Sequence, residues 1–143
     1  MSSIETRREN DAATRRRILV ADDDGVIRTF IRASLSPEYT VVEARDGNEA
    51  LEALRSPEGF SCAIFDDRMP HMSGFQLAEH VRDSAHLRHM PVILITAKDN
   101  TVERQVRSRQ AGVSAFLNKP FSRVQLLRLV ELLLIMRPAR KTA

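Results

Sequence analysis

Ile18-Leu19-Val20-Ala21-Asp22-Asp23-Asp24 is the stretch on which the fold turns. Four apolar residues run without alternation and end abruptly in three carboxylates. A run of that kind predicts a strand buried on both faces, as in a parallel sheet. Val26, Ile27, Phe30, Ile31 and Leu35 follow at helical spacing, Asp24 reads as the helix cap, and Pro37 stops the helix. The same phrase recurs outward from this point. Thr40 to Ala44 is rich in β-formers and leads through the turn Asp46-Gly47 to a helix marked by Ala50, Leu51 and Leu54. Cys62 to Phe65 is an apolar strand ending at Asp66-Asp67, followed by a helix over 73–83 with Leu77, Ala78 and Val81 on one face. Pro91 to Ile95 is a strand ending at Thr96. Asn100 with Glu103 reads as a capping box, and Gly112 as a helix stop. Ala115 to Leu117 is a short strand ending at Lys119-Pro120. Ser122 with Gln125 caps a last helix that runs to about Met136.

Strand followed by helix, five times, predicts an α/β domain: a doubly wound, five-stranded parallel (βα)5 sheet with helices on both faces. Right-handed crossovers leave few topologies for it. Its ligand site belongs outside the carboxyl ends of the strands.

The 143 residues make one domain, and one cysteine, Cys62, excludes an internal disulfide and places the chain by default in a reducing, cytoplasmic setting. No apolar run reaches membrane-span length, since Leu126 to Met136 is interrupted by Arg128 and Glu131. The net charge is +3, but residues 1–17 carry +2 and residues 137–143 carry +3, which leaves −2 for 18–136. The expected organisation is therefore a polar, flexible tail over 1–17, a domain over 18–136 and a basic tail over 137–143. A mildly acidic body with one Tyr and no Trp argues against nucleic acid as the partner.

The polar residues at the strand ends carry the chemistry. Asp22-Asp23, Asp66, Thr96 and Lys119 end four different strands and should converge on one edge of the sheet. Clustered carboxylates repel one another, and one Lys does not neutralise three of them. Mg²⁺ does, and it keeps open positions for further oxygen ligands. Phosphoryl oxygens complete such a site, reaching Mg²⁺, Lys119 and the Thr96 hydroxyl, while a carboxylate attacks phosphorus as the nucleophile. Each residue alone has an ordinary explanation, as a cap, a core hydroxyl or a solvated Lys. The set of them at corresponding strand ends favours the functional reading.

Those residues carry a resemblance. Ile18-Leu19-Val20-Ala21-Asp22-Asp23, Phe65-Asp66-Asp67-Arg68-Met69-Pro70 with Gly74, Ile95-Thr96-Ala97, and Lys119-Pro120-Phe121 resemble, in text and spacing, a response-regulator receiver domain of two-component signalling. The resemblance covers all but the tails. It implies a flavodoxin-like sheet of order 2-1-3-4-5 and phosphorylation of Asp66 by a histidine kinase or phosphotransfer protein. It implies Mg²⁺ on Asp23, Asp66 and the backbone carbonyl of Arg68, with Asp22 acting mainly through water. Lys119 would contact the phosphoryl group, Thr96 and Phe116 would be the switch pair, and Lys119-Pro120 would be cis. The expected output is protein–protein interaction, with a downstream target or a second copy on the last two helices. The expectation is a stand-alone regulator without an output domain in this chain, with a receiver excised from a larger regulator or hybrid kinase as the alternative. Gly25 stands where Pro is frequent in the family.

The enzymatic alternative is a haloacid-dehalogenase-type phosphatase with Asp22 as nucleophile. It needs an acidic pair after Lys119, where only Glu131 is found. Cys62 reads as core, and His71, His80, His86 and His89 lack ligand spacing. Val102 and Val106 predict a narrow apolar stripe and weak docking for the fourth helix, whereas the fifth has more Leu than one stripe needs. Arg68 and Lys98 flank the expected site and predict slow dephosphorylation.

Overall fold

Strands apolar on both faces have to be covered on both, and the chain does this by alternating them with helices. The computed structural model describes residues 15–97 and 102–136. Its elements are β1 (Arg17–Ala21), α1 (Gly25–Leu35), β2 (Thr40–Ala44), α2 (Gly47–Leu54), β3 (Cys62–Asp66), α3 (Gly74–Asp83), β4 (Val92–Thr96), α4 (Val102–Ala111), β5 (Ala115–Asn118) and α5 (Arg123–Met136). The five strands are parallel, in the spatial order β2-β1-β3-β4-β5. The expected fold is the observed one. The order reverses between β1 and β3, so a topological switch point opens at their carboxyl ends.

Alternate strand residues feed two cores. Leu19, Ala21, Ala63, Phe65, Val92 and Leu94 pack with residues of α2, α3 and α4. Ile18, Val20, Cys62, Ile64, Ile93 and Ile95 pack with α1 and α5. Cys62 is buried in the second core, as its sequence context predicts. Local signals set the helix ends. The Asp24 and Asp46 carboxylates accept from the amides of Val26 and Glu49, and Ser73 with Gln76 and Ser122 with Gln125 form reciprocal caps. Gly112 ends α4 at φ 76°, a conformation that suits glycine.

The structure departs from the sequence expectations in two places. β1 begins at Arg17, whose carbonyl accepts from the Ser61 amide and whose guanidinium lies 4.8 Å from the Phe60 ring centroid. That residue belongs to the sheet rather than to a tail. Val102 and Val106 do not dock α4. Both are exposed, and α4 buries Ser108 and Ala111 instead. On α5, Leu126, Val130 and Leu134 are buried, while Val124, Leu132, Ile135 and Met136 face outward. The expected Asn100 cap, Lys98 and the two charged ends at 1–14 and 137–143 lie outside the described residues. Lys119–Pro120 is cis, as the resemblance implied, and so is Ser36–Pro37.

Candidate functional site

β1 and β3 are neighbours and in register, with Ala21 opposite Phe65, so their carboxyl ends deliver Asp22 and Asp66 side by side. Asp22 is buried at the end of β1. Its amide donates to the Ala44 carbonyl, its Oδ1 accepts from the Asp24 amide at 2.9 Å, and its carbonyl accepts from Arg28 Nη1 at 2.7 Å. Asp66 is the last residue of β3 and is 4% exposed. Gly74 opens α3 directly against it. A Cβ at Gly74 would stand 2.4 Å from the Asp66 carbonyl oxygen, so only glycine permits that approach. Lys119, just past β5, reaches across to both carboxylates, with Nζ 3.4 Å from Asp66 Oδ2 and 3.6 Å from Asp22 Oδ2. Asp23 is exposed at the mouth. One oxygen each of Asp22, Asp23 and Asp66 lies within 4.8 Å of the others.

The cluster is under electrostatic tension. Burial pushes the Asp66 carboxyl up to about 7, with the Asp22 charge adding to the rise and Lys119 opposing it. Burial raises Asp22 as well, against the pull of the Asp24 amide and of Lys119. Asp22 Oδ2 is buried without a hydrogen bond. A hard cation would relieve the repulsion and satisfy that oxygen, so the donor set fits Mg²⁺. Arg68 is exposed in the loop after β3, with its amide 3.4 Å from Asp66 Oδ1.

The β4–β5 side of the site differs. Thr96 is 1% exposed, and its hydroxyl donates to Asn118 Oδ1 at 2.9 Å, on the neighbouring strand where the two residues are paired. Phe116 is half-buried and packs on the core beneath α2–α4. Sequence reasoning gave no part to Asn118, nor to an ion pair between buried Asp67 and Arg104 Nη1 of α4 at 2.7 Å. The text held one signal for Asn118, its place at the end of β5 next to Lys119. That it faces Thr96 depends on strand register, which no local pattern encodes. Arg104 looks like any other Arg on a polar helix until the fold sets it over β3.

A parallel sheet of this order, with acidic residues and a lysine at its switch point, has the architecture of a signalling receiver. Residues 18–131 match the response regulator receiver domain family, and the chain belongs to it. It is 38% identical over 119 residues to the response regulator MprA of Mycobacterium ulcerans (strain Agy99), covering 82% of this chain and 50% of that protein. It is 36% identical over 126 residues to hybrid signal transduction histidine kinase D of Dictyostelium discoideum, covering 87% of this chain and 8% of that one. The chain thus spans half or less of the length of these relatives. Among solved structures it is similar to the receiver domain of a sensor histidine kinase from Pseudomonas aeruginosa PAO1, with a TM-score of 0.75 and 29% identity over 85% of this chain and 98% of that one. That structure has a magnesium ion coordinated in its active-site cleft. The phosphatase alternative is not favoured: the family is that of receivers. Among the described residues, no helix is long and apolar enough to cross a membrane.

Proposed function

We propose that Asp66 is the phospho-acceptor of this receiver, taking its phosphoryl group from a histidine kinase or histidine phosphotransfer protein in the cytoplasm. The observation that carries the reading is the Asp66 carboxylate at the end of β3, flanked by Asp22 and held 3.4 Å from Lys119 Nζ. A carboxylate oxygen of Asp66 attacks phosphorus, the P–O bond forms, and the P–N bond to the donor imidazole breaks. The imidazole nitrogen keeps the electron pair and is left neutral once the proton on its other nitrogen is counted. Lys119 stabilises charge on the phosphoryl oxygens, and Thr96 donates its hydroxyl to one of them.

Asp22, Asp23, Asp66 and the Arg68 carbonyl would hold Mg²⁺, Asp22 mainly through water. Mg²⁺, when bound, neutralises the carboxylates and the incoming phosphoryl charge. Thr96 and Phe116 are the switch pair that reads the phosphoryl group. The chain acts as a signalling element rather than as a turnover enzyme. Its output is a contact through the last two helices, α4 and α5, made with a downstream protein or a second copy. The exposed Val124, Leu132 and Ile135 support that surface.

The test is incubation with Mg²⁺ and acetyl phosphate, read by intact mass. One phosphoryl increment is expected on the wild type and none on Asp66→Asn. An equal increment on Asp66→Asn would overturn the assignment.

A further inference from the structure

Thr96 lies at the end of β4 with 1% of its surface exposed, so its hydroxyl cannot turn to bulk water. A buried hydroxyl without a partner is costly, and it takes whichever acceptor is offered. Here the acceptor is Asn118 Oδ1, 2.9 Å away on the paired strand. Asn118 is exposed and sits next to Lys119, whose ammonium points into the site. β5 therefore presents two adjacent residues with opposed effects. Lys119 favours an anion beside Asp66, and Asn118 holds the hydroxyl that such an anion would recruit.

We propose that Asn118 is a resting-state latch: its side-chain oxygen competes with the phosphoryl group for the Thr96 hydroxyl and so sets how readily the receiver converts. The proposal rests on the reading of Asp66 as phospho-acceptor and Thr96 as its hydroxyl donor, and it adds the residue that opposes them. Conversion breaks the Thr96–Asn118 bond. The exposed Asn118 amide then finds water, and the Thr96 hydroxyl finds a phosphoryl oxygen. Removing the Asn118 acceptor raises the free energy of the resting state alone, because only there is the buried hydroxyl left unpaired. A state-selective change of this kind shifts the equilibrium by its full value. The resting protein should become less stable while its affinity for a phosphoryl mimic rises. Lost packing would not raise that affinity.

The experiment uses the full chain with Mg²⁺ held constant and beryllofluoride as the phosphoryl mimic, titrated by calorimetry. The proteins are wild type, Asn118→Ala, Asn118→Leu, Thr96→Val and Thr96→Val/Asn118→Ala. Both Asn118 variants should bind beryllofluoride on the order of fivefold more tightly than wild type, the size expected for one neutral hydrogen bond. They should also melt at a slightly lower temperature without it. In the Thr96→Val background, Asn118→Ala should change the affinity no further. Unchanged or weaker binding in both Asn118 variants would overturn the latch, as would an equal gain in the Thr96→Val background. Asp66 phosphorylation of the wild type is followed in parallel by intact mass. If it occurs without an Asn118 effect, the latch alone is wrong. If the wild type neither phosphorylates nor binds beryllofluoride, the Asp66 reading falls and the latch falls with it.

Discussion

α3 and α4 lie side by side on one face of the sheet and are held there by opposite means. α3 buries Phe75, Leu77, Ala78 and Val81, and its first residue, Gly74, presses on the Asp66 backbone. α4 buries Ser108 and Ala111 and is tied down by arginines: Arg104 pairs with Asp67, and Arg107 lies 4.5 Å from the Phe75 ring centroid. Apolar packing acts at every angle of approach, whereas an ion pair and a cation–π contact act at one geometry and can be exchanged for another. The difference divides the site. The β1–β3 half, backed by α3, is built to keep Asp22 and Asp66 in place. The β4–β5 half carries the Thr96–Asn118 hydrogen bond, and α4 reaches Asp67 and α3 through polar contacts. On the proposed reading, phosphoryl transfer falls to the first half and the switch pair Thr96 and Phe116 to the second.

The largest effects should come from testing packing on the two helices. Leu77→Ala should cost about 2–5 kcal/mol in urea unfolding, since Leu77 is fully buried. Val106→Ala on α4 should stay within about 0.5 kcal/mol. A comparable loss at Val106 would break the contrast. Next comes the ion pair. Arg104→Met leaves the Asp67 carboxylate buried without this partner and should cost about 1–3 kcal/mol. Asp67→Asn/Arg104→Met should recover part of that, and a double-mutant cycle gives the coupling.

A smaller effect follows from the crowded carboxylates. Asp66 is raised in the fold from 3.8 to about 7 by burial and by Asp22. An acid whose folded pKa exceeds its unfolded value stabilises the fold while protonated. Its contribution is complete below the unfolded pKa and is lost as pH rises through the folded one. Without Mg²⁺, the wild-type Tm should therefore fall between pH 3.8 and about 7 relative to Asp66→Asn. At the upper end Asp66→Asn should melt higher than the wild type, and Mg²⁺ should narrow the gap. Parallel pH profiles for the two proteins would deny the tension at the site. The smallest effect concerns Arg68, exposed beside Asp66. Arg68→Asn, which replaces a cation with a group able to orient water, should shorten the phosphoryl lifetime by a few fold, followed as decay after donor removal. Decay at the wild-type rate would remove Arg68 from that role.

Where each part was legible in the sequence follows from the range of the forces involved. Ile18–Ala21 and Cys62–Phe65 declare buried parallel strands because burial on both faces removes alternation. Asp24, Asp46, Ser73 and Ser122 declare helix starts because caps act within three residues. The strand ends then bring Asp22, Asp23, Asp66 and Lys119 together by topology alone. Arg17 was missed as strand because a charged residue at a strand end carries no apolar signal, although its backbone completes the ladder. Val102 and Val106 announce a narrow stripe and weak apolar docking, and both are exposed; that Arg104 and Arg107 tie α4 down instead is not legible, because their partners lie on other elements. Asn118 and Asp67 were invisible as partners because each bond joins elements distant in the chain, and register decides which side chains meet.

Amide hydrogen exchange on the full chain, with and without Mg²⁺ and beryllofluoride, tests the division most directly. In the free protein, α4 and the ends of β4 and β5 should exchange faster than β1, β3 and α3. The mimic should alter exchange chiefly in α4, β4 and β5. Changes of equal size in α3, or an α4 that is as protected as α3 and indifferent to the mimic, would contradict that division.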